Sequence, residues 1–454
     1  MNKAIETARV DEFFAEITAH EVAGRREDAL VLAERVAQAA PQMPQAQNIA
    51  GLQAFHYGDY AKALTYLEKA MALAPEVSAY PRNAGLVYHA LDQLDEALAM
   101  ARHALALAPQ EASLYFNLAL ILHDCLALEE GLQVVEQGLA LDPDYAEARF
   151  LKAELQLLAG RLREGWEDYE CRFTLDQGKP MLPPTDRPQW NGGKLGAGRL
   201  LLVADQGFGD CIQFARYIPW AARRAPEPVL AASDELLPLL RQIKGIGRMV
   251  RSWNEIGDYE AYIPLSGLPR LARTTLSTMP ASRPYISADP RKVALWRKRL
   301  EVLVPAGLKR IGLVWAGRPT HKKDKKRSMA LAAFAPLLAR DDIALISLQK
   351  GAGLRDIGMN FSKAPLLNLG PMISDFTDTL AILKCLDLLV SVDTSVAHLA
   401  GAACVPTALL LPYAPDWRWL LNREDSPWYP SFRLFRQPRP GAWDDVISQL
   451  NARL

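Results

Sequence analysis

Apolar and polar positions alternate with two different rhythms along this chain. In the first 170 or so residues apolar side chains recur every three or four places, the spacing of a helix with one buried face. Four of these stretches close on the same phrase: AERVAQAAP, LEKAMALAP, ARHALALAP and VEQGLALDP. Their last residues, Pro41, Pro75, Pro109 and Pro143, stand 34 residues apart. Small residues keep the same period where paired helices must cross closely: Gly51, Ala63 and Ala70, then Gly85, Ala97 and Ala104, then Ala119, Gly131 and Gly138. Gly58-Asp59-Tyr60 makes the turn within one unit. A degenerate unit runs from about Ala146 to Phe173, and the Pro- and Gly-rich stretch 177–197 reads as a linker anchored by Trp190. From Gly198 short unbroken apolar runs alternate with helical patterns. The strands expected are RLLLVAD, PVLAA, AYIPL, KRIGLVWAG, DIALISLQK, DLLVSVD and PTALLL. Unbroken apolar strands separated by helices predict parallel sheets covered on both faces.

A period of 34 with a helix pair per repeat is that of the tetratricopeptide repeat. Such arrays stack into a superhelix whose concave groove, lined by the first helix of each pair, suits an extended peptide. Asn83 and Asn117 take the same place in consecutive repeats, and Asn48 lies one place off in the repeat before. An amide side chain carries both donors and acceptors, so such a ladder can hold a peptide backbone. It resembles the asparagine ladder of the O-GlcNAc transferase superhelix. A polar, solvated groove wall is the other reading, and it is also the one given to His89 and His123.

Composition narrows the class. Lys+Arg and Asp+Glu are equal at 52 each among 454 residues, which argues against a general nucleic-acid binder. The five cysteines are scattered without a CxxC pair, as suits a reducing compartment and no metal site. No apolar stretch reaches the length of a membrane span, and the first residues have no signal core. A soluble, cytoplasmic protein is expected.

The chemistry is concentrated at strand ends. Asp393-Thr394-Ser395 follows the strand DLLVSV and opens a helix of small residues. Free N–H groups, the positive helix end and two hydroxyls make that turn a phosphate site, with His398 one helical turn on. An ordinary helix cap is the alternative. A second turn, Asp205-Gln206-Gly207-Phe208-Gly209-Asp210, follows the strand RLLLVA. Its glycines allow close backbone approach, and Asp210 either faces a cleft as a working carboxylate or caps its helix. The basic run Arg318–Ser328 follows the strand KRIGLVWAG, with Arg318 and Arg327 the better forks for a diphosphate and a solvated loop the alternative. Gln349, ending DIALISLQ, could read a base edge or ribose, or tie off the strand. No GxGxxG is present, which disfavours a dehydrogenase, and no Asp-x-Asp sits at a plausible donor site, so no metal or other cofactor is required.

GFGD with the following Tyr217-Ile218-Pro219, together with SVDTSVAHLAGA, resembles the two signature segments of the ADP-heptose–lipopolysaccharide heptosyltransferases. The resemblance covers most of 198–454 and implies a GT-B pair of Rossmann-like halves and an inverting, metal-independent transfer. Asp210 matches that family's proposed catalytic base. Asp393, Thr394, Ser395 and His398 match its donor-diphosphate loop, though Ser395 stands where the family has glycine, and Gly209 of the GFGD segment is a further donor-binding candidate. Repeats fused to such a domain resemble the bacterial relatives of O-GlcNAc transferase and the flagellin glycosyltransferases, and Asp416–Gln437 resembles that repeat-fused branch. The expected architecture is repeats over 1–176, a linker over 177–197, an acceptor-side half over 198–290 and a nucleotide-sugar half over 291–454. The expected function is sugar transfer from a nucleotide-sugar onto a protein hydroxyl held by the repeats, with a flagellin-like acceptor one case. The alternatives are transfer onto a polysaccharide or lipid-linked glycan, and a non-catalytic scaffold.

Overall fold

The computed structural model describes residues 2–176, 178–196, 198–251, 255–280, 284–321, 323–360 and 366–454. By packing it divides into two compact units, Met1–Leu155 and Gln156–Leu454.

The first unit is helical throughout: α1 (Asn2–Val22), α2 (Arg26–Ala39), α3 (Pro44–Tyr57), α4 (Tyr60–Leu73), α5 (Ala79–Ala90), α6 (Leu94–Leu107), α7 (Ala112–Asp124), α8 (Leu128–Leu141) and the start of α9 (Ala146–Leu158). Helices α2, α4, α6 and α8 each end two residues before one of the periodic prolines, because a residue preceding proline is driven out of the helical region. Small residues sit where the pairs cross. Ala63, Ala70, Ala97 and Ala104 are fully buried. A Cβ at Gly51 would meet Leu67 Cγ at 2.7 Å, and one at Gly138 would meet Tyr115 Cβ at 2.8 Å. The turn between paired helices needs a left-handed residue, and positive φ recurs at Gly24, Gly58, Asp92, Leu126 and Gly160, again 34 residues apart. Only three of the five are glycine, so backbone geometry keeps the period even where the residue type does not. Asp59 caps α4 by accepting the Lys62 N–H at 3.1 Å.

The second unit begins inside α9, at Gln156. Helix α10 (Leu162–Tyr169) brings Trp166 edge-on to Phe214, Trp417 and Trp428. The buried guanidinium of Arg172 donates to Ser266 Oγ at 2.5 Å. The stretch expected to end the repeats at 176 is therefore built into the sheet-bearing unit. In the linker Trp190 is buried, its backbone N–H donating to Tyr262 O at 2.7 Å; Gln177 and Ala197 lie outside the described residues.

Two parallel sheets follow. The first holds β1 (Leu200–Val203), β2 (Val229–Ala231), β3 (Arg248–Val250) and β4 (Ala261–Pro264) in the order β3-β2-β1-β4. Its helices are short: α11 (Phe208–Phe214), α12 (Ile218–Ala222), α13 (Leu237–Leu240) and α14 (Leu268–Leu271). After α15 (Pro290–Leu303) the second sheet holds β5 (Lys309–Val314), β6 (Ile343–Ser347), β7 (Leu366–Asn368), β8 (Leu388–Val392), β9 (Thr407–Leu411) and β10 (Phe432–Arg436), in the order β10-β9-β8-β5-β6-β7. Its helices are α16 (Asp324–Arg327), α17 (Ala335–Leu338), α18 (Arg355–Asn360), α19 (Phe376–Leu383), α20 (Ser395–Ala402) and α21 (Trp443–Asn451). Counted from β5, this is the order of a doubly wound dinucleotide fold, with the switch point between β5 and β8. Every strand pair is parallel, and β1 is buried along its whole length. Each of its leucines contributes about 1.5–3 kcal/mol on burial. Between α11 and α12 the chain makes a turn of 3₁₀ helix at Ala215–Tyr217. Between β5 and β6 a 3₁₀ turn, Leu331–Phe334, runs directly into the short α17.

Candidate functional site

The two turns singled out in the sequence meet. Helix α11 packs on α20, and a Cβ at Gly209 would stand 2.6 Å from His398 Cδ2. Only a residue without a side chain lets the backbone of the first turn rest on that imidazole. Gly209→Ala is expected to cost about 1–3 kcal/mol of stability, since the collision is with a buried ring. Gly207→Ala serves as its comparison, because a Cβ there meets only Asp210 Oδ2, at 3.2 Å. Thermal denaturation of both variants checks the difference.

His398 is buried and held on three sides. Its Nδ1 lies 2.8 Å from Tyr429 Oη, its ring stacks on Trp419 at 5.6 Å, and its Nε2 lies 3.6 Å from Asp393 Oδ1. Asp393 in turn accepts the Trp419 indole N–H at 2.8 Å. Burial would raise the pKa of Asp393, but His398, the Trp419 N–H and the charge of Arg327 outweigh it and hold it well below the ordinary carboxylate range. Asp393 and His398 thus brace the turn from behind. What the turn presents outward is the N-terminus of α20. Thr394 is its extended N-cap residue, and no side chain caps the helix. Thr394 Oγ1 lies 3.2 Å from Ser391 Oγ, and both Thr394 and Ser395 are half-buried.

Across the switch point, the end of β5 carries the basic run. Arg327 pairs with Asp324 at 3.3 Å and lies against Gly317, where a Cβ would stand 2.7 Å from its Nη2. Arg318 is exposed and has no side-chain partner among the described residues; Lys322 lies outside them. Gln349 is buried and fully engaged. Its Oε1 accepts from the N–H groups of Trp315 and Ala316 at 3.0 Å each, and its Nε2 donates to Ala316 O at 2.9 Å and Lys350 O at 2.8 Å. Of the two roles open from the sequence, the strand-end tie is the one this side chain performs.

Asp210 is the third residue of α11, whose N-cap is Gly207, and it makes no capping bond. Its Oδ1 accepts from Arg418 Nη2 instead. Arg418 also donates to Asp416 Oδ1 at 2.8 Å and to Gln213 Oε1 at 2.6 Å, and its guanidinium lies 4.0 Å from the Trp417 ring centre. Burial opposes its charge, but Asp416 and Asp210 together push its pKa up. At the first residue of the same turn, Asp205 accepts the Ser266 N–H at 3.1 Å and the Ser266 hydroxyl, and so ties the end of β1 to the end of β4. Burial raises its pKa.

Sequence reasoning named neither Arg418, Trp419 nor Tyr429. The density of aromatic residues and arginine in Asp416–Gln437 was the available signal. No group of three or more His, Cys, Asp or Glu is gathered for a metal among the described residues. No described helix is long and apolar enough to cross a membrane.

In the repeats, Asn83 is buried, its Nδ2 donating to Asn48 Oδ1 at 2.7 Å, so the displaced residue Asn48 does join the ladder. Asn117 is half-buried with no side-chain partner among the described residues. His89 and His123 are not solvated wall residues. They lie 2.8 and 2.9 Å from the two carboxylate oxygens of Asp124, and His123 is buried.

Comparison with known proteins reaches the helical part by a family model and by solved structures, and a larger share of the chain by one relative. A family model described as Tetratricopeptide repeat matches residues 83–111. Protein FlbA of Caulobacter vibrioides is 28% identical over 342 residues, covering 67% of this chain and 54% of that protein. The chain thus spans about half the length of the curated relative it matches. Among solved structures, a tetratricopeptide protein of Thermus thermophilus, TTC0263, is 24% identical with a TM-score of 0.34, covering 37% of this chain and 91% of that one. MamA from Desulfovibrio magneticus is 21% identical with a TM-score of 0.33, covering 37% and 96%. The chain carries tetratricopeptide repeats, followed by a region of parallel sheets.

Proposed function

We propose that this chain is an inverting glycosyltransferase of GT-B type that moves a sugar from a nucleotide-sugar to a protein hydroxyl captured by its repeats. The observation that carries the proposal is the contact of Gly209 with His398. It joins the end of β1, which bears a carboxylate, to a switch point of doubly wound order that bears an uncapped helix and two arginines. Nucleotides bind at such switch points, outside the strand C-termini. In this reading residues 198–290 serve the acceptor and 291–454 the donor.

The reaction is one in-line displacement. Asp210 takes the proton of the acceptor hydroxyl, whose oxygen attacks the anomeric carbon. The bond from that carbon to the leaving phosphate oxygen breaks, and the nucleotide departs with the electron pair. The α20 N–H groups, Thr394, Ser395 and the arginines Arg318 and Arg327 stabilise its negative charge, and no step calls on a metal. A flagellin-type protein is one acceptor the sequence resemblance implies.

The test supplies a panel of nucleotide-sugars to the full chain and to proteins that co-purify with it, reading nucleotide release and the intact mass of the acceptor. A mass increase of one sugar residue supports the reading, and no release from any donor overturns it. The repeats enter through Asn83→Ala with Asn117→Ala. This pair is expected to weaken acceptor capture by about 10-fold or more, at roughly 1 kcal/mol for each hydrogen bond lost, without changing donor affinity. Acceptor modification unaltered by the pair would remove the ladder from the acceptor site.

A further inference from the structure

We infer that Arg418 is a positioning residue for Asp210, so that a segment 208 residues away in sequence orients the working carboxylate. The inference rests on the proposed transferase reading. It goes beyond it by naming what fixes the base and which of its oxygens is free to act.

The guanidinium is built into place before it meets Asp210. Its side chain is 6% exposed. Its Nε donates to Gln213 Oε1, its Nη1 donates to Asp416 Oδ1, and its plane lies over Trp417. Gln213 is fully buried, its Nε2 has no hydrogen-bond partner among the described residues, and its oxygen accepts from Arg418 Nε. With Nε and Nη1 fixed, the direction of Nη2 follows from the planarity of the group. Nη2 is the atom that takes Asp210 Oδ1.

The two oxygens of Asp210 therefore differ. Oδ1 is bound to the arginine. Oδ2 has no hydrogen-bond partner among the described residues and lies on the side of Gly207, 3.2 Å from where a Cβ on that glycine would stand. The Asp210 side chain is 25% exposed, against 6% for the arginine that holds it. Oδ2 is thus the oxygen that receives the acceptor proton, and the Arg418 contact sets the angle at which it is offered. Asp416 matters to this arrangement as well. It shares the guanidinium, so the arginine remains paired when Asp210 becomes neutral on accepting a proton.

Arg418→Lys keeps the positive charge but loses the planar fork, and so separates charge from direction. The expected result is a fall in kcat of about 100-fold, the scale of a misplacement of about 1 Å at a reacting group, with KM for the donor unchanged. Arg418→Ala, assayed on folded protein with and without added guanidinium chloride at millimolar concentration, is expected to regain part of its rate. Added methylammonium, a point charge without the fork, is expected to restore none. A kcat for Arg418→Lys within threefold of the parent, while Asp210→Asn is inactive, would overturn the positioning role and leave the transferase reading intact. An Asp210→Asn variant with the parent rate would overturn the assignment of the base, and the positioning role with it. Should Arg418→Ala fail to fold, the comparison of Arg418→Lys with the parent still decides the question.

Discussion

Asp210→Asn is expected to slow sugar transfer by about 10²–10⁴-fold, the usual loss when a general base is removed. The substitution is nearly isosteric. An asparagine oxygen can still accept from Arg418, but the amide cannot take a proton. The structure removes the competing explanation for such a loss. Asp210 caps nothing in α11, whose N-cap is Gly207. Arg418 also keeps a carboxylate partner, Asp416, at 2.8 Å. Thermal stability should therefore move far less than the rate. Donor affinity should also hold, because the turn at 393–395 proposed to take the diphosphate is a separate segment of chain. Initial rates, a melting curve and calorimetric titration with nucleotide on the same preparation make the comparison. A near-normal rate would reassign the base.

Thr394→Ala with Ser395→Pro is expected to weaken nucleotide binding by about 10- to 150-fold, from the roughly 1.5–3 kcal/mol carried by a hydrogen bond to a charged group. Ser395 is the first residue of α20, where proline is tolerated because its fixed φ suits the helix start. The proline therefore removes an N–H from the turn without breaking the helix. Losing the Thr394 hydroxyl removes a second donor and its contact with Ser391. Behind the turn, the bracing of Asp393 by Trp419 and His398 is untouched. The fold should survive, and calorimetry with the nucleotide that the parent binds reads the loss directly. Chelator should alter neither binding nor rate. An unchanged affinity in the folded double variant would move the diphosphate elsewhere, and strict dependence on a divalent ion would refute the metal-independent mechanism.

Local information reached a definite depth in this chain. The repeats were legible because each helix pair states its own rules within 34 residues: small residues at crossings, a left-handed turn, proline after the second helix. The buried strands β1, β5, β6, β8 and β9 were legible because both faces are covered and each leaves an unbroken apolar run. Three strands were missed, β3, β7 and β10, and all three lie at sheet edges. An edge strand is covered less completely, and none of the three is buried along its whole length. No continuous run marks it.

The same limit runs through the candidate site. The turns at Asp205–Asp210 and Asp393–Ser395 could be read because a strand, a turn and a helix start are written in consecutive residues. Their meeting could not be read, since it depends on one glycine finding room beside His398. Nor could the fate of Gln349, an amide that from sequence suited a ligand as well as a strand end, until the backbone of β5 was seen to use all of it. Arg418 is the clearest case. Nothing in Asp-Trp-Arg-Trp announces a partner more than 200 residues earlier. Pattern along a chain follows from local sterics and from which face is buried, and both are properties of short segments. The choice of partner for a buried charge follows from which side chains the packed core brings within about 3 Å, and that is set only when distant segments close on one another.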